Sequence, residues 1–216
     1  MNLEFARRQM IDQQVRTWDV LDAEVLALMA SIPRERFAPE GWRDAAFMDV
    51  ELPLGHGERM LAPKVEGRIL QAVAAQPDDA VLEVGTGAGY LTACLARQAG
   101  DVISIERHAD LLDGARASLS AEQIDNVSLQ HADASQALPD KTFDVVVLGG
   151  SIAGSLAPFE AKLNPGGRLF AVTGSGPIMS AMLISRAADA GWRRESLFDT
   201  YLAPLHGFGP EPRFTF

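Results

Sequence analysis

The sequence predicts an α/β fold in which an N-terminal helical extension precedes a doubly wound, mostly parallel sheet of seven strands. Three observations support this prediction. Short β-branched runs alternate with helical stretches after Pro77, the strand runs are almost wholly apolar, and the pattern before Pro77 is helical and then irregular. Nearly continuous apolar strands are typical of a parallel sheet covered on both faces. We therefore expect one domain, residues 1–216, made of an extension at 1–76 and a core at 77–216.

Two helices and two loops are predicted in the extension. The first helix is expected over about 20–30, with Asp19 or Asp22 as its cap, and the second over 65–75. The first rests on apolar residues that recur at roughly helical spacing, namely Val15, Leu21, Val25, Leu28 and Met29. Segments that carry prolines and glycines are predicted to be loops, at 32–42 and 52–64.

The core is predicted to alternate strands with helices. The β-branched runs that we interpret as strands are 80–84, 101–106, 126–130, 143–149 and 167–173. The helical stretches between them are 89–98, 109–120 and 155–163. A further helix over 177–190 is expected to lead to two final strands, in "ESLFDTYLAPL" (195–205) and "PRFTF" (212–216), placed antiparallel at the end of the sheet.

Composition and charge argue against several classes of partner. The net charge of −10 disfavours binding to nucleic acid or to an anionic membrane, and no run of about 18 apolar residues predicts a membrane span. A loose basic cluster, Arg34, Arg36 and Arg43, is interpreted as a solvated surface. Cys94 is the only cysteine, and the N-terminus lacks a signal peptide's apolar stretch, so we expect a cytoplasmic protein. We predict no metal site, and the sequence does not indicate an oligomeric state.

A glycine-rich loop lies in the stretch "VLEVGTGAGYLTACLA" (81–96), between a predicted strand and a predicted helix. Gly85, Gly87 and Gly89 lack Cβ atoms, which permits a tight turn and lets a ligand lie against bare backbone. The helix that follows offers unpaired N–H groups at its start. Ligands of doubly wound sheets bind at this position, outside the carboxyl ends of the strands. The loop is therefore a candidate ligand site.

Acidic residues around this loop indicate which ligand it holds. Glu106 ends the next strand, 21 residues after Gly85, where a carboxylate can accept hydrogen bonds from both hydroxyls of a ribose. The loop reads G-T-G-A-G, one residue shorter than the dinucleotide fingerprint G-x-G-x-x-G. Glu83, just before the loop, would repel a pyrophosphate but suits a cationic sulfonium, and Asp133 can accept from an adenine amino group. These details favour S-adenosylmethionine over NAD.

Several segments together carry a resemblance to a known family. "RRQMIDQQVRTWDVLDAEVLALMASIPRERFAP" (7–39) is similar to the opening of the protein-L-isoaspartate O-methyltransferases, including their V-P-R-x-x-F-x-P element. "AFMDVELPLGHG" (46–57) resembles the family's A-Y-x-D-x-P-L-x-I-G-x-G segment, and the likeness continues through the glycine loop to about residue 174. About three quarters of the chain is covered.

This resemblance implies a class I, Rossmann-like methyltransferase that uses S-adenosylmethionine. It implies a protein or peptide partner in which the enzyme methylates the free carboxylate of an L-isoaspartyl residue, which permits succinimide formation and repair. The cofactor contacts that it implies are Glu83, Gly85, Thr86, Gly87, Gly89, Glu106, Arg107 and Asp133.

One segment departs from the family pattern. Where the family usually reads Q-T-I-S-x-P, this chain reads "ERMLAP" (58–63), so that Leu61 replaces a serine at the methyl-transfer site and Arg59 replaces the threonine. A carboxylate is ionised at neutral pH and needs no general base, so the change removes one hydrogen bond, worth about 1.5–3 kcal/mol. Our hypothesis is that Arg59 compensates by holding the acceptor's carboxylate. The catalytic residues are otherwise unassigned.

Two alternatives remain beside isoaspartyl methylation. One is a methyltransferase of the same fold with a changed acceptor, a small molecule or another protein group, for which Leu61 would line an apolar pocket. The other is a paralogue that holds the cofactor but transfers little. Methylation of nucleic-acid bases is disfavoured because "LGGSIAG" (148–154) lacks the [DN]-P-P-[YF] signature and Cys94 lies within a predicted helix. His108 and His131 flank the loop and are assigned no chemistry.

Overall fold

The computed structural model describes residues 2–187 and 191–209, and the extension comes first. Its helices are α1 (Leu3–Met10), α2 (Ala23–Ser31), α3 (Arg34–Phe37) and α4 (Pro63–Val73), and its strands are β1 (Leu52–Gly55) and β2 (Glu58–Met60). Helix α1 continues through a π-helical turn at Ile11–Val15 and a 3-10 turn at Arg16–Trp18, and a further 3-10 segment spans Glu40–Ala45. Pro63 is the first residue of α4, where its missing N–H costs no hydrogen bond.

The core follows the predicted alternation of strands and helices. Its strands are β3 (Ala80–Val84), β4 (Asp101–Glu106), β5 (Val127–His131), β6 (Phe143–Ile152), β7 (Leu163–Thr173), β8 (Met179–Arg186) and β9 (Trp192–Thr200). Its helices are α5 (Tyr90–Gln98), α6 (Ala109–Ala121) and α7 (Ala157–Glu160). The order across the sheet is β5-β4-β3-β6-β7-β8-β9. The first five strands are parallel, and β8 alone runs antiparallel to the others, so the mostly parallel sheet confirms the predicted fold class.

The predicted helix over 177–190 is wrong for its described part, because Met179–Arg186 forms strand β8. Its residues "MSAMLISR" have few β-branched side chains, so local propensity favoured a helix. Hydrogen-bonded partners on both sides, β7 and β9, decide the outcome instead. The count of seven strands is right, but β8 supplies one of them, while the predicted strand at 212–216 lies outside the described residues.

Three smaller predictions also differ from the structure. The helix predicted over 155–163 is a single turn, α7, the predicted loop at 32–42 contains α3, and the predicted loop at 52–64 contains the β1–β2 hairpin. Leu52 and Leu54 stand at alternate positions just before the Gly-His-Gly turn at 55–57, which is a hairpin signal. Asp22 caps α2 through Oδ1, whereas Asp19 adopts a left-handed conformation before it.

Both faces of the sheet are covered. In β6, Val145 and Val147 belong to the apolar cluster that includes the extension, while Val146 and Leu148 belong to the cluster that includes Phe159 of α7. This alternation explains why the strand is continuously apolar. Among the helices of residues 2–187 and 191–209, none is long and apolar enough to cross a membrane.

A buried ion pair within the extension packs against the core. Arg34 is fully buried, and its guanidinium bonds to the carboxylate of Glu66 on α4. It also donates from Nε to the Ala46 carbonyl at 2.8 Å and from Nη2 to the Leu61 carbonyl at 2.6 Å. The same guanidinium lies 4.8 Å from the ring centre of Tyr90, the first residue of α5. The prediction of a solvated surface is therefore wrong for Arg34.

We expect Arg34→Ala to lower the free energy of unfolding by about 3–5 kcal/mol, because Glu66 would be left buried without its partner. Arg36→Ala is the matched control: Arg36 lies in the same helical turn, is exposed, and pairs with Glu122 at 2.7 Å. Loss of that exposed pair should cost no more than about 1 kcal/mol. Chemical denaturation measures both values, and equal small losses would contradict the assignment.

Candidate active site

Three adjoining cavities open at the carboxyl ends of β3, β4 and β6, and Gly85 lines all of them. The first lies between Glu106 and Asp133, the second beside Glu51, and the third beside Glu66. The predicted cofactor contacts that line at least one cavity are Gly85, Thr86, Gly87, Gly89, Glu106, Arg107 and Asp133. The structure therefore brings seven of the eight predicted residues to one cleft.

Backbone hydrogen bonds hold the glycine loop against the neighbouring strand. The amides of Gly85 and Thr86 donate to the Ile105 carbonyl, at 2.9 and 3.2 Å. Gly85 has a φ of 96°, in the region that favours glycine. A Cβ at Gly149 would lie 3.1 Å from the Gly85 carbonyl oxygen, so glycine there lets the ends of β3 and β6 approach closely. The loop thus presents bare backbone at the shared wall of the cavities.

Glu106 is fixed between the glycine loop and the start of α6. Its side chain is buried, with Oε2 accepting from the Gly87 amide at 3.0 Å and Oε1 from the His108 amide at 2.9 Å. An ionised carboxylate has about four lone-pair directions, so two or so remain for a ligand. Because Glu106 lines the first and second cavities, this remaining capacity faces the cleft.

Glu83 lies behind the loop and lines none of the three cavities. Its Oε2 accepts from Thr92 Oγ1 at 2.5 Å and from Ser104 Oγ at 2.6 Å. Since the single hydroxyl proton of Ser104 goes to Glu83, the 2.6 Å bond between Ser104 and Thr86 has Thr86 as its donor. Burial raises the pKa of Glu83 to about 7, although both hydroxyl bonds oppose that rise. Glu83 therefore contacts the loop through Ser104 and Thr86.

Asp133 and Arg107 line the far side of the first cavity. Asp133 Oδ1 accepts from the Ser135 hydroxyl at 2.7 Å and from its amide at 2.9 Å. The Ser135 hydroxyl is the main cause of a lowered pKa for Asp133, which favours the ionised form. Its Oδ2 lies 3.6 Å from Nε2 of His206. A charged acceptor is thus present where an adenine amino group was predicted to bind.

The segment after β9 forms an outer wall that sequence analysis did not assign. Ser151 of β6 donates its amide to the Ala203 carbonyl at 2.9 Å and accepts from the Leu205 amide at 3.0 Å. Leu205 then lines the first and second cavities, and Phe208 lines the first. The sequence of this segment has no periodic pattern from which its place could be predicted. Its position in the structure follows from its hydrogen bonds to β6.

The β1–β2 hairpin and the residues after it form the opposite wall. Leu61 is buried and lines the second and third cavities, at the position where the resemblance implies a serine. Arg59 lines the same two cavities with its side chain half exposed, and its Nε lies 3.9 Å from Oε2 of Glu51. Partial burial raises the pKa of Glu51, against the opposing effect of Arg59. The departing segment therefore faces the glycine loop directly.

Comparison with known proteins identifies the family. The model of the protein-L-isoaspartate(D-aspartate) O-methyltransferase (PCMT) family matches residues 6–207. The chain belongs to this family. It is 35% identical to protein-L-isoaspartate O-methyltransferase 1 of Rhodopseudomonas palustris (strain HaA2), over 96% of this chain and 88% of that protein. It is 36% identical to the Koribacter versatilis (strain Ellin345) protein-L-isoaspartate O-methyltransferase, over 93% of this chain and 90% of that one.

Solved structures share the fold. A candidate enzyme of the same class from Plasmodium falciparum, in complex with S-adenosyl-L-homocysteine, gives a TM-score of 0.78 at 21% identity, covering 92% of this chain and 97% of that chain. A second structure, that of a protein-L-isoaspartate O-methyltransferase, gives a TM-score of 0.80 at 19% identity, covering 94% of this chain and 67% of that chain. Family membership makes this chain a methyltransferase of the isoaspartyl type with S-adenosylmethionine as its cofactor. The predicted family, enzyme class and cofactor are confirmed.

We expect Glu83→Gln to be the more stable protein above pH 7, by on the order of 2–3 kcal/mol. Between the ordinary pKa of 4.5 and the folded value of about 7, the folded chain keeps a proton that the unfolded chain has released. The stability of the original protein therefore falls as pH rises through this window, and glutamine removes that dependence. Denaturation at a series of pH values, with the exposed Glu24→Gln as control, measures the difference. A difference that does not change with pH would contradict the assignment.

Proposed function

We propose that this chain methylates the free carboxylate of L-isoaspartyl residues in proteins or peptides, at the cleft between the glycine loop and the β1–β2 hairpin. The observation that supports this proposal is the convergence of two sets of residues on one cleft. Seven predicted cofactor contacts line it from the sheet side. Arg59 and Leu61, at the positions where the family pattern places the acceptor, line it from the hairpin side.

On the sheet side, the residues fit S-adenosylmethionine. Glu106 is buried, fixed by two backbone amides, and has acceptor capacity left for two ribose hydroxyls. Asp133 lies across the same cavity, within reach of an adenine amino group, and Gly85 and Gly87 offer bare backbone. When bound, the cofactor supplies a methyl group from its sulfonium: the methyl carbon forms a bond to the acceptor oxygen as its bond to sulfur breaks. The residues' contribution is position and a water-poor site.

On the hairpin side, Arg59 is the residue suited to hold the acceptor. It is the only basic side chain among the described residues that lines the second and third cavities. A guanidinium can bind a carboxylate through two parallel hydrogen bonds, and Glu51 restricts where this guanidinium lies. Leu61 cannot donate a hydrogen bond, but its buried side chain excludes water from the reacting oxygen. Arg59 thus replaces the hydrogen bond that a serine would supply.

A second candidate function has one observation in its favour. Leu61 places an apolar side chain in the wall of the cleft, where the family pattern has a hydroxyl. An acceptor with an apolar group next to its nucleophile would fit this wall better than an isoaspartyl chain. The same assay separates the two candidates.

Three further assignments belong to this proposal. We assign Glu83 as a positioning residue, because it reaches the loop only through Ser104 and Thr86. Residues 1–76 and 77–216 act as one domain, since a single apolar cluster contains residues of both. The single cysteine supports a cytoplasmic location, and the net charge of −10 supports a protein rather than a nucleic-acid partner.

Labelled S-adenosylmethionine and two peptides that differ only in L-isoaspartate or L-aspartate test the proposal. We expect label on the isoaspartyl peptide alone, released as methanol at alkaline pH as from an ester. Glu106→Ala should lose both cofactor binding and transfer, whereas the control Glu122→Ala should keep both. Protein that binds the cofactor but labels neither peptide, or labels both equally, would contradict the proposed acceptor.

We expect Arg59→Ala to raise KM for the isoaspartyl peptide about 10- to 100-fold with a smaller effect on kcat, because a charged hydrogen bond to the acceptor is lost. Arg59→Lys should retain part of the affinity, since it keeps the charge but not the paired geometry. Arg193→Ala, on exposed strand β9, is the control. Steady-state kinetics at saturating cofactor measure the values. An unchanged KM in Arg59→Ala would refute the anchoring role.

A further inference from the structure

Two histidines and an aspartate meet beside the cleft, where the hairpin contacts α6. The rings of His56 and His108 are stacked, with centroids 4.1 Å apart and planes inclined by 10°. His56 lies in the turn between β1 and β2, and His108 directly precedes α6. Nε2 of His56 lies 2.9 and 3.1 Å from the two carboxylate oxygens of Asp110, in the first turn of α6. One candidate ligand atom from each residue lies within 4.8 Å of the others.

Nε2 of His108 has no partner that accounts for its position. It is shielded from solvent and forms no hydrogen bond among the described residues. The carboxylate Oε1 of Glu58 lies 3.5 Å away without forming one. A buried imidazole nitrogen left unpaired is unfavourable, and its lone pair is a preferred ligand of transition metals. The exposed pair of His56 and Asp110 stabilises little by itself and leaves this nitrogen unexplained.

We propose that His56, His108 and Asp110 bind a divalent transition-metal ion of the Zn²⁺ class. Two imidazoles and a carboxylate are a donor set that suits Zn²⁺, whereas Mg²⁺ and Ca²⁺ prefer oxygen ligands alone.

The distances are close to those of a bound ion. Bond lengths of about 2.0–2.1 Å place neighbouring ligand atoms of a tetrahedral site about 3.3 Å apart. The contacts of His56 Nε2 with the Asp110 carboxylate, at 2.9 and 3.1 Å, are close to this spacing, and the candidate ligand atom of His108 lies within 4.8 Å of both partners. Because the two rings are nearly parallel, one ion cannot lie in both ring planes. The more exposed ring, that of His56, therefore tilts when the ion binds.

The ion would connect the hairpin wall of the cleft to the start of α6. His56 belongs to the hairpin that leads to Arg59 and Leu61, and the His108 amide donates to the Glu106 carboxylate at 2.9 Å. An ion shared by His56, His108 and Asp110 holds the hairpin against the start of α6. Its role is structural, so the inference does not depend on which acceptor the enzyme methylates.

Isothermal titration of chelator-treated protein with ZnCl₂ tests this site. We expect one ion per chain, and a dissociation constant at least about tenfold weaker in His56→Ala and in Asp110→Asn. The controls are His131→Ala, an exposed histidine on β5, and Asp113→Asn, an exposed carboxylate on the same helix, and both should bind like the original protein. Circular dichroism checks that each variant is folded.

Thermal unfolding gives a second measurement that requires no methyl transfer. Zn²⁺ should raise the Tm of the original protein and of both controls, because the ion binds the folded chain, and should not raise it in His56→Ala or Asp110→Asn. The absence of a one-to-one binding event would overturn the proposal. Equal binding by His56→Ala, or binding lost in His131→Ala alone, would overturn it as well.

Discussion

A guanidinium and a carboxylate, those of Arg34 and Glu66, meet in the interior where neither reaches water. Removing both charges from water carries a large cost, which is offset because each of the three guanidinium nitrogens of Arg34 forms a hydrogen bond. Those donors reach the carbonyls of Ala46 and Leu61, and the guanidinium packs on Tyr90, which directly follows the glycine loop. One buried charge therefore fixes the extension, the hairpin side of the cleft and the start of α5 relative to one another.

The charges around the cleft explain why the loop suits a sulfonium cofactor. Carboxylates line it or lie just behind it at Glu51, Glu58, Glu66, Glu83, Glu106 and Asp133. Among the described residues, the arginines and lysines that line it are Arg59 and Arg107. Arg34 lies close by, but its charge is already paired with Glu66. Such a field opposes a pyrophosphate and favours a cation. It also makes the position of Arg59 matter, because an acceptor carboxylate would be repelled everywhere else along the hairpin side.

The sequence predicted correctly those features of the site that neighbouring residues determine. The apolar strand runs, the glycine loop and the acidic residue that ends β4 are each recognised from a few neighbouring residues, and together they located the cleft correctly. Strand β8 was predicted as a helix because its state depends on pairing with β7 and β9, which no local pattern shows. Arg34 and Arg36 look alike in the sequence, yet one is buried and the other exposed. The contact of His56 with His108 joins residues 52 positions apart, so only the folded chain reveals it.

The hairpin is held at both of its ends, and this restricts the route by which an acceptor can enter the cleft. At the end near Leu61, Arg34 fixes the backbone carbonyl. At the turn, His56 packs on His108, and Leu54 lies close enough to Gly87 that a Cβ there would approach it to 3.1 Å. Because these contacts restrain the wall at both ends, we expect it to stay in place when an acceptor binds. The acceptor therefore enters past the exposed side of Arg59, which favours a flexible segment of a protein, whose backbone can bend to present the free α-carboxylate of an isoaspartyl residue.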